Sequence, residues 1–480
     1  MRPACASRPA LRRPGLDIPL RSRGCGKPNC PAWAFPSSIL RGGNPHSYAI
    51  RRRGRPSADR CGRLHGALFA LQTRAARYNS TMPDTLPAST PSTGTHYRAE
   101  ASDRPTRIRV DLDALAHNLH ALQRHVSVPV MGIVKANAYG HGLVPVARHL
   151  EAQGIAQLGV AFVEEGLALR RAGVQAPILV LGGIHAPQVS QFLIHDLEVT
   201  VSSVDKLRQV ERAAESIGRK AVIHLKIDTG MERIGVHSES AAPFIEAAAA
   251  SRWCTVKGLY SHLACSDDPA SPMTAVQLQR FLAASSHFDR IGAPMPLRHL
   301  ANSGGVLHFP DTWLDMVRPG IVLYGVLPDP ASRRSFPLKP ALSLVSSVVY
   351  FKVVKAGRTV SYGATWTAGS DTRVITLPIG YGDGYPRALS SRGEVLVRGH
   401  RHPIVGRICM DQFMVDIGPA GSAYNGDEAV LIGRQGDAMI DCEAVAQAAG
   451  TIPYEILTGL NERIPREYAL ASARTGTGGA

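Results

Sequence analysis

From residue 128 onward the chain repeats one pattern eight times: a short run rich in Val, Ile and Leu, a turn of small residues, then a helical stretch. The runs fall at 130–134, 157–162, 177–181, 197–201, 221–227, 256–261, 297–301 and 316–323. Between them lie segments such as 274–291 and 204–217, the latter with apolar residues at 204, 207, 210, 214 and 217, a helical period. Alternating strands and crossover helices force parallel pairing, and eight units in about 200 residues favour a closed (β/α)8 barrel of the TIM type over an open sheet. The seventh unit is the weakest, because its helical stretch at 305–310 is short. After residue 340 the texture changes to alternating or β-branched runs at 342–354, 373–379, 394–397, 404–417 and 428–432, with one late helix at 442–449. This predicts a mostly antiparallel β domain behind a proline-rich linker at 327–340. The expected organisation is a disordered leader at 1–104, a barrel at 105–340, a β domain at 341–470 and a disordered tail at 471–480.

Basic residues outnumber acidic ones by 54 to 38, a balance that in a compact domain points to nucleic acid. Its distribution removes that partner. Residues 1–80 hold 15 Arg and 1 Lys against Asp17 and Asp59, so they carry nearly all of the net +16 and the rest of the chain is close to neutral. The leader is rich in Arg, Pro, Gly and Ser, runs into a Ser/Thr/Pro stretch at 85–95, and reads as disordered. An acid-poor, arginine-rich leader fits an organellar transit peptide; it also fits an upstream stretch wrongly joined to the protein, with Met82 as the true start. Cys5, Cys25, Cys30 and Cys61 lie in the leader and Cys254, Cys265, Cys409 and Cys442 in the body, without paired zinc-type spacing. A cytoplasmic protein without disulfides or bound metal is expected. No run of eighteen apolar residues predicts a membrane span.

In a βα barrel the carboxyl ends of the strands converge on one mouth, and catalytic groups sit there. Strand one ends in Lys135, strand five in Lys226 and Asp228, strand six in His262, strand seven in Asn302 and Ser303, and strand eight in Arg318. One polar strand end would be unremarkable, but buried charges are rare unless paired, and five at one rim point to a site. A lone Lys135 would simply reach solvent. At a barrel mouth, however, desolvation lowers an amine's pKa and frees its lone pair, so it can form a Schiff base with pyridoxal phosphate.

The run Val134-Lys135-Ala136-Asn137-Ala138-Tyr139-Gly140-His141-Gly142 resembles the cofactor-lysine motif of the alanine racemase family, and the resemblance continues in order from about residue 107 to residue 466. It implies that Lys135 carries pyridoxal 5'-phosphate and then serves as the base on the D-alanine face. In Leu225-Lys226-Ile227-Asp228-Thr229-Gly230-Met231-Glu232-Arg233-Ile234-Gly235, Arg233 would contact the substrate carboxylate and the cofactor's phenolic oxygen, a task suited to a planar guanidinium. Lys226 matches a lysine that is often carbamylated and then orients Arg233; read without the family, Lys226 and Asp228 form a surface pair. Asn302, Ser303 and the backbone of Gly320 and Ile321 would bind the cofactor, chiefly its phosphate, with Tyr139 as a further contact. Arg318 would face the pyridine nitrogen and, being always protonated, keep that nitrogen unprotonated and the ring a weaker electron sink.

The β-domain run Val360-Ser361-Tyr362-Gly363-Ala364-Thr365-Trp366 matches the family motif whose tyrosine abstracts the α-proton of L-alanine. A free tyrosine has a pKa of ~10, so Tyr362 would have to fall by roughly 3, about 4 kcal/mol, to act near neutrality. The resemblance implies that His262 bonds Tyr362 and links it to Arg318, although alone it reads as a core histidine. Tyr381, in Pro378-Ile379-Gly380-Tyr381-Gly382-Asp383-Gly384-Tyr385-Pro386, would narrow the entrance. The backbone of Met410, in Gly406-Arg407-Ile408-Cys409-Met410-Asp411-Gln412, would meet the substrate carboxylate, where core packing is otherwise the default for Met. In the family these residues come from the neighbour in a head-to-tail homodimer. One departure stands out: some members carry a phosphate-binding tyrosine where Glu462 stands, and a carboxylate cannot serve a phosphate dianion.

The implied activity is interconversion of L- and D-alanine by two bases, supplying D-alanine for peptidoglycan or degrading it. Three alternatives remain. They are a racemase of broader range that takes serine, a non-catalytic pyridoxal-phosphate carrier, which would lack a β domain with a second base, and a decarboxylase, which would place a cysteine or acid at Tyr362. Removing residues 1–81 should leave racemase turnover unchanged; an inactive truncation would give the leader a role that its composition does not show.

Overall fold

The computed structural model of the protein describes residues 103–328 and 337–469. The tail at 471–480, the leader up to residue 102 and the middle of the proline-rich linker, all assigned above from composition, lie outside the described residues. Arg104, placed in the leader by the sequence, is held in the fold: its guanidinium pairs with the fully buried Asp383 carboxylate at 2.8 Å. A buried carboxylate requires such a partner.

Strand β1 (Arg107–Asp111) buries Ile108 and Val110 on one face. A helix, Leu112–Val126, follows at once, capped by the Asp111 carboxylate, which accepts Ala114 N–H at 2.9 Å. Strands β2 (Met131–Ile133), β3 (Gln157–Val160), β4 (Ile178–Val180), β5 (Leu197–Val201) and β6 (Ala221–Asp228) then pair in parallel, each with the next. The short β7 (Val236–His237) flanks β6, and β8 (Cys254–Tyr260) and β9 (Leu297–His299) continue the curved sheet. The run at 316–323, expected as the eighth strand, is different. Val317 makes one parallel bridge with Val130, and Arg318 N–H reaches Ala301 O at 2.9 Å on the other side. Pro319 has no N–H to extend the ladder, and after Gly320 the chain turns into a 3-10 helix, Ile321–Tyr324. The barrel therefore closes on a single bridge.

Its interior departs from the usual filling of branched apolar side chains. Glu198 and Thr200 on β5, His224 and Lys226 on β6 and His299 on β9 are all buried. Alternate residues of a strand share a face, so each pair points into the same space.

The second sheet uses β10 (Leu342–Ser347), β11 (Tyr350–Val354), β14 (Thr372–Leu377), β15 (Glu394–Val397), β16 (His400–Val405), β17 (Phe413–Gly418), β18 (Glu428–Gln435) and β20 (Arg466–Ala469). A small ribbon, β12 (Thr359–Val360) with β13 (Trp366–Thr367), stands apart, and β19 (Ala438–Ile440) pairs with β18. The order is β11-β14-β17-β16-β15-β18-β10-β1-β20. Strand β1, which chain order assigned to the barrel segment, thus belongs to this sheet, antiparallel to β10 and parallel to β20. The late helix is Cys442–Ala449, and a second, Pro453–Gly459, starts with proline at its first position.

Asn118, fully buried on the first helix, joins the two halves. Its amide donates to Leu323 O at 3.1 Å and Lys339 O at 2.8 Å, and its oxygen accepts Lys339 N–H at 2.8 Å. Asn118→Ala strands these groups without water, and we expect a loss of about 2–4 kcal/mol of stability in urea unfolding.

Candidate active site

A cavity of about 500 Å³ opens at the carboxyl ends of the barrel strands. Of the residues expected there, Lys135, Tyr139, Lys226, Arg233, His262, Asn302, Ser303, Arg318 and Gly320 line it, and Ile321 is buried next to Gly320. No carboxylate lines the cavity among the described residues.

Lys135 follows β2 and launches an unusual turn. Ala136, Asn137, Ala138 and Tyr139 all hold φ between 52° and 55°, four successive non-glycine residues in the left-handed region. Each costs about 1–2 kcal/mol, so neighbours must hold the turn. Glu165 accepts Ala136 N–H at 2.7 Å with one oxygen and Ala161 N–H at 2.8 Å with the other. The Asn137 side chain accepts Leu143 N–H at 2.7 Å, and Arg466 donates to Gly140 O at 2.9 Å. Gly140 itself, at φ 79°, lies where a Cβ would meet Leu457 O at 2.1 Å. Burial holds the Lys135 pKa below its ordinary value, the Arg233 and Arg318 charges lower it further, and Glu165 opposes them.

Lys226 is buried and its amine lies 4.7 Å from the centre of the Tyr260 ring, which Arg318 also approaches, at 5.3 Å. Burial first, and the Arg318 charge second, push the Lys226 pKa well down. The surface pair with Asp228 does not form. Asp228 instead accepts N–H groups from Gly230, Met231, Glu232 and Arg233 at 2.8–3.2 Å, folding the loop that presents Arg233. Burial alone would raise the Asp228 pKa, but those donors and Lys226 bring it below the ordinary range.

At one end of the cavity Ser303 Oγ accepts Gly320 N–H at 2.9 Å, which leaves the hydroxyl hydrogen free to donate elsewhere. A Cβ on Gly320 would come 2.3 Å from the Tyr139 hydroxyl, so glycine makes room for that ring. Tyr139 stacks on Tyr324 at 4.9 Å and meets Tyr454 at 6.1 Å. Tyr454, on the helix Pro453–Gly459, lines the cavity, whereas Glu462 is exposed. Glu462, where the family departure falls, does not line the cavity; the tyrosine that lines this end stands eight residues earlier. Asn302 also lines the cavity, but its oxygen accepts from Ser266 Oγ at 2.6 Å and Gly305 N–H at 3.0 Å, so it shapes the loop.

Arg318 is buried, with all four terminal N–H groups engaged: Nη1 with His299 Nδ1 at 3.1 Å and His299 O at 2.5 Å, Nη2 with Ser261 O at 2.7 Å and Leu300 O at 3.0 Å. Only its Nε–H is left without a protein acceptor among the described residues. Burial lowers its pKa to about 10, and it remains charged. The expected link from His262 to Arg318 is not made; His299 takes that place. The His262 ring has no partner within the described chain, and burial, then the charges of Arg318, Lys226, Arg233 and Lys135, keep it neutral.

Tyr362, Met410 and Tyr381 do not line this cavity. They are exposed, 70%, 53% and 42% respectively, on loops stitched together by Tyr381 N–H to Cys409 O at 3.1 Å and Gly382 N–H to Met410 O at 2.8 Å. Ser361, before Tyr362, holds φ 68° and ψ 180°, a conformation that is otherwise almost confined to glycine. Tyr260, Tyr454, His299 and Glu165 were missed by motif. The alternation of polar residues along the strands would have found His299 and Tyr260.

A depressed-pKa lysine at the end of a barrel strand, a basic cavity and an appended β domain fit the class of enzymes that bind an aldehyde cofactor. The family models agree with this class: "Alanine racemase, N-terminal domain" matches residues 110–328 and "Alanine racemase, C-terminal domain" residues 341–468. The chain belongs to the alanine racemase family, whose enzymes are pyridoxal-phosphate-dependent isomerases. It is 43% identical over 366 residues to the alanine racemase of Symbiobacterium thermophilum, 76% of this chain and 97% of that one. The structure of the enzyme from D-cycloserine-producing Streptomyces lavendulae matches with TM-score 0.74 and 39% identity, over 78% of this chain and 100% of that one. That of the Bartonella henselae alanine racemase with covalently bound pyridoxal phosphate matches with TM-score 0.70 and 30% identity, over 76% and 99%. The cavity fits such a cofactor: an amine for the aldehyde, a spare Ser303 hydroxyl hydrogen for phosphate, and one unused Arg318 Nε–H.

Because Arg233 is the strongest of the charges lowering Lys135, Arg233→Leu should raise the pKa of that amine. Isotopic reductive methylation followed by NMR titration of the lysine measures it; an unmoved titration would show that the Arg233 charge does not act on the amine.

Proposed function

We propose that this chain racemises alanine, with pyridoxal 5'-phosphate in the barrel-mouth cavity and Lys135 and Tyr362 as the two bases. The observation that carries the reading is the set of four basic side chains, Lys135, Lys226, Arg233 and Arg318, around a cavity that no carboxylate lines among the described residues. Such a space takes a ligand with more than one negative charge, as a phosphate cofactor plus an amino acid carboxylate would be. When bound, the cofactor withdraws electrons from Cα and supplies most of the carbanion stabilisation. Arg233, presented by the Asp228-anchored loop, orients the substrate carboxylate. Lys226, if carbamylated, would hold Arg233 from the other side. Arg318 would place its permanent positive charge beside the ring nitrogen. Ser303, the backbone of Gly320 and Ile321, Tyr139 and Tyr454 would hold the phosphate.

Inversion at Cα takes the proton from one face and returns it to the other, so a second group must stand on the opposite face. Tyr362 fills that role from a second copy of the chain. Its exposure, shared with Met410 and Tyr381 on one group of loops, supports a homodimer in which this surface caps the partner's barrel. His262, neutral and with its ring open to the cavity, is placed to bond the incoming phenol. Four free thiols, Cys254, Cys265, Cys409 and Cys442, support a cytoplasmic setting. Among the described residues no helix is long and apolar enough to cross a membrane.

Exchange of the α-hydrogen for solvent deuterium tests the division of roles. Tyr362→Phe should slow exchange from L-alanine by about 10²–10⁴-fold while exchange from D-alanine persists. Equal loss from both enantiomers would reject two separate bases. Lys135→Ala should abolish both. Mixing the two inactive variants should restore turnover if sites are shared between chains, and serine in the same assay measures the substrate range.

A further inference from the structure

The hydrogen bonds of Arg318 continue down the barrel interior. His299 Nε2 lies 2.9 Å from His224 Nδ1, and His224 Nε2 lies 2.8 Å from Glu198 Oε2. Glu198 also receives the Gln157 amide at 2.6 Å and the Lys257 amine. All but Lys257 are buried. The protons in this chain have one consistent arrangement. An arginine only donates, so His299 Nδ1 must accept from Arg318, and the His299 hydrogen therefore sits on Nε2. His224 must then accept on Nδ1 and donate from Nε2 to the Glu198 carboxylate. Reversing either ring sets one N–H against another, either at Arg318 or between the histidines.

Other groups build this path. The Tyr260 ring stacks on His299 at 4.8 Å and 5°, and its hydroxyl is bonded to Thr200 at 2.8 Å, which fixes the plane of the imidazole. A Cβ at Gly258 would come 2.1 Å from His224 Nδ1, so glycine is required on β8 for the two histidines to meet. Burial first, and the Arg318 charge second, keep His299 neutral; burial also lowers His224 against the pull of Glu198.

We infer that Glu198 is a positioning residue for Arg318: acting through His224 and His299, it fixes the tautomers that engage the guanidinium terminus and leave only Nε–H for the cavity. The carboxylate does not touch the ligand. It anchors the chain at the end remote from the cavity and makes the neutral imidazoles better acceptors for the arginine. The effect on turnover rests on the racemase reading; the tautomers do not.

Long-range ¹H–¹⁵N NMR of the full chain, as purified and with selectively ¹⁵N-labelled histidine, tests it. His224 and His299 should each carry hydrogen on Nε2 alone between about pH 6 and 9, the range in which an ordinary histidine becomes neutral. An Nδ1–H form or an imidazolium at either position overturns the inference. Gly258→Ala, which pushes His224 aside, and Glu198→Gln, which cannot satisfy three donors, break the chain by independent routes. Both should mix the tautomers of His299 and reduce kcat about tenfold, with KM for alanine changing less than about twofold. Unchanged tautomers in both variants, or mixed tautomers with wild-type kcat, would overturn it. If either variant fails to fold, the wild-type tautomers decide. Expected tautomers in a chain without racemase activity would refute the functional reading and leave the proton arrangement standing.

Discussion

Uncompensated positive charge at the barrel mouth shapes the rest of the site. Lys135, Lys226, Arg233 and Arg318 line one cavity, and the nearest carboxylates are occupied elsewhere: Glu165 by the backbone of two loops, Asp228 by four N–H groups. Like charges and desolvation act in the same direction on an amine, so the lysines lose their protons more readily than the arginines, whose charge persists. The result is a division of labour set by side-chain chemistry: arginines supply the permanent field, and lysines supply lone pairs. A phosphate and a carboxylate relieve the repulsion when they enter, so ligand binding and electrostatic relaxation are one event.

Holding a reactive amine in such a field requires a rigid mount. Four left-handed residues after Lys135 carry an intrinsic cost of about 4–8 kcal/mol. Hydrogen bonds return about 0.5–1.5 kcal/mol each. Several of them, from Glu165, Asn137 and Arg466, converge on this turn, and the Tyr139 ring is packed between Tyr324 and Tyr454. The mount therefore draws on the second barrel loop and on the last strand of the chain. A substitution at Arg466 acts on the lysine from a distance by this route.

Much of this was legible in the sequence because it depends on period and strand-end position. The seven barrel strands, the late helix and the crowding of Lys135, Lys226, His262, Ser303 and Arg318 at one rim all follow from where apolar runs stop. What stayed hidden depends on pairing at long range. Nothing local says that Arg107–Asp111 leaves the barrel for the second sheet, or that the chain from 316 to 323 closes by one bridge, although Pro319 was a warning. Tyr454 was hidden because a helix, whose register cannot be read from a motif match, carries it to the cavity. His299 was hidden because its neighbours His224 and Glu198 lie on other strands.

The place of β1 between β10 and β20 has a kinetic consequence. Its partners include Val345 on one side and Glu467 on the other, so the first strand among the described residues is among the last that can be completed. A chain emerging from the ribosome can assemble barrel units as they appear, yet Ile108 and Val110 have no sheet to enter until nearly the whole polypeptide has been synthesised. Closing loops of that length is slow, and an apolar strand exposed meanwhile is open to capture by another chain. Chaperone dependence during synthesis would then fall on these five residues, and a copy truncated before residue 466 would leave one edge of β1 permanently bare.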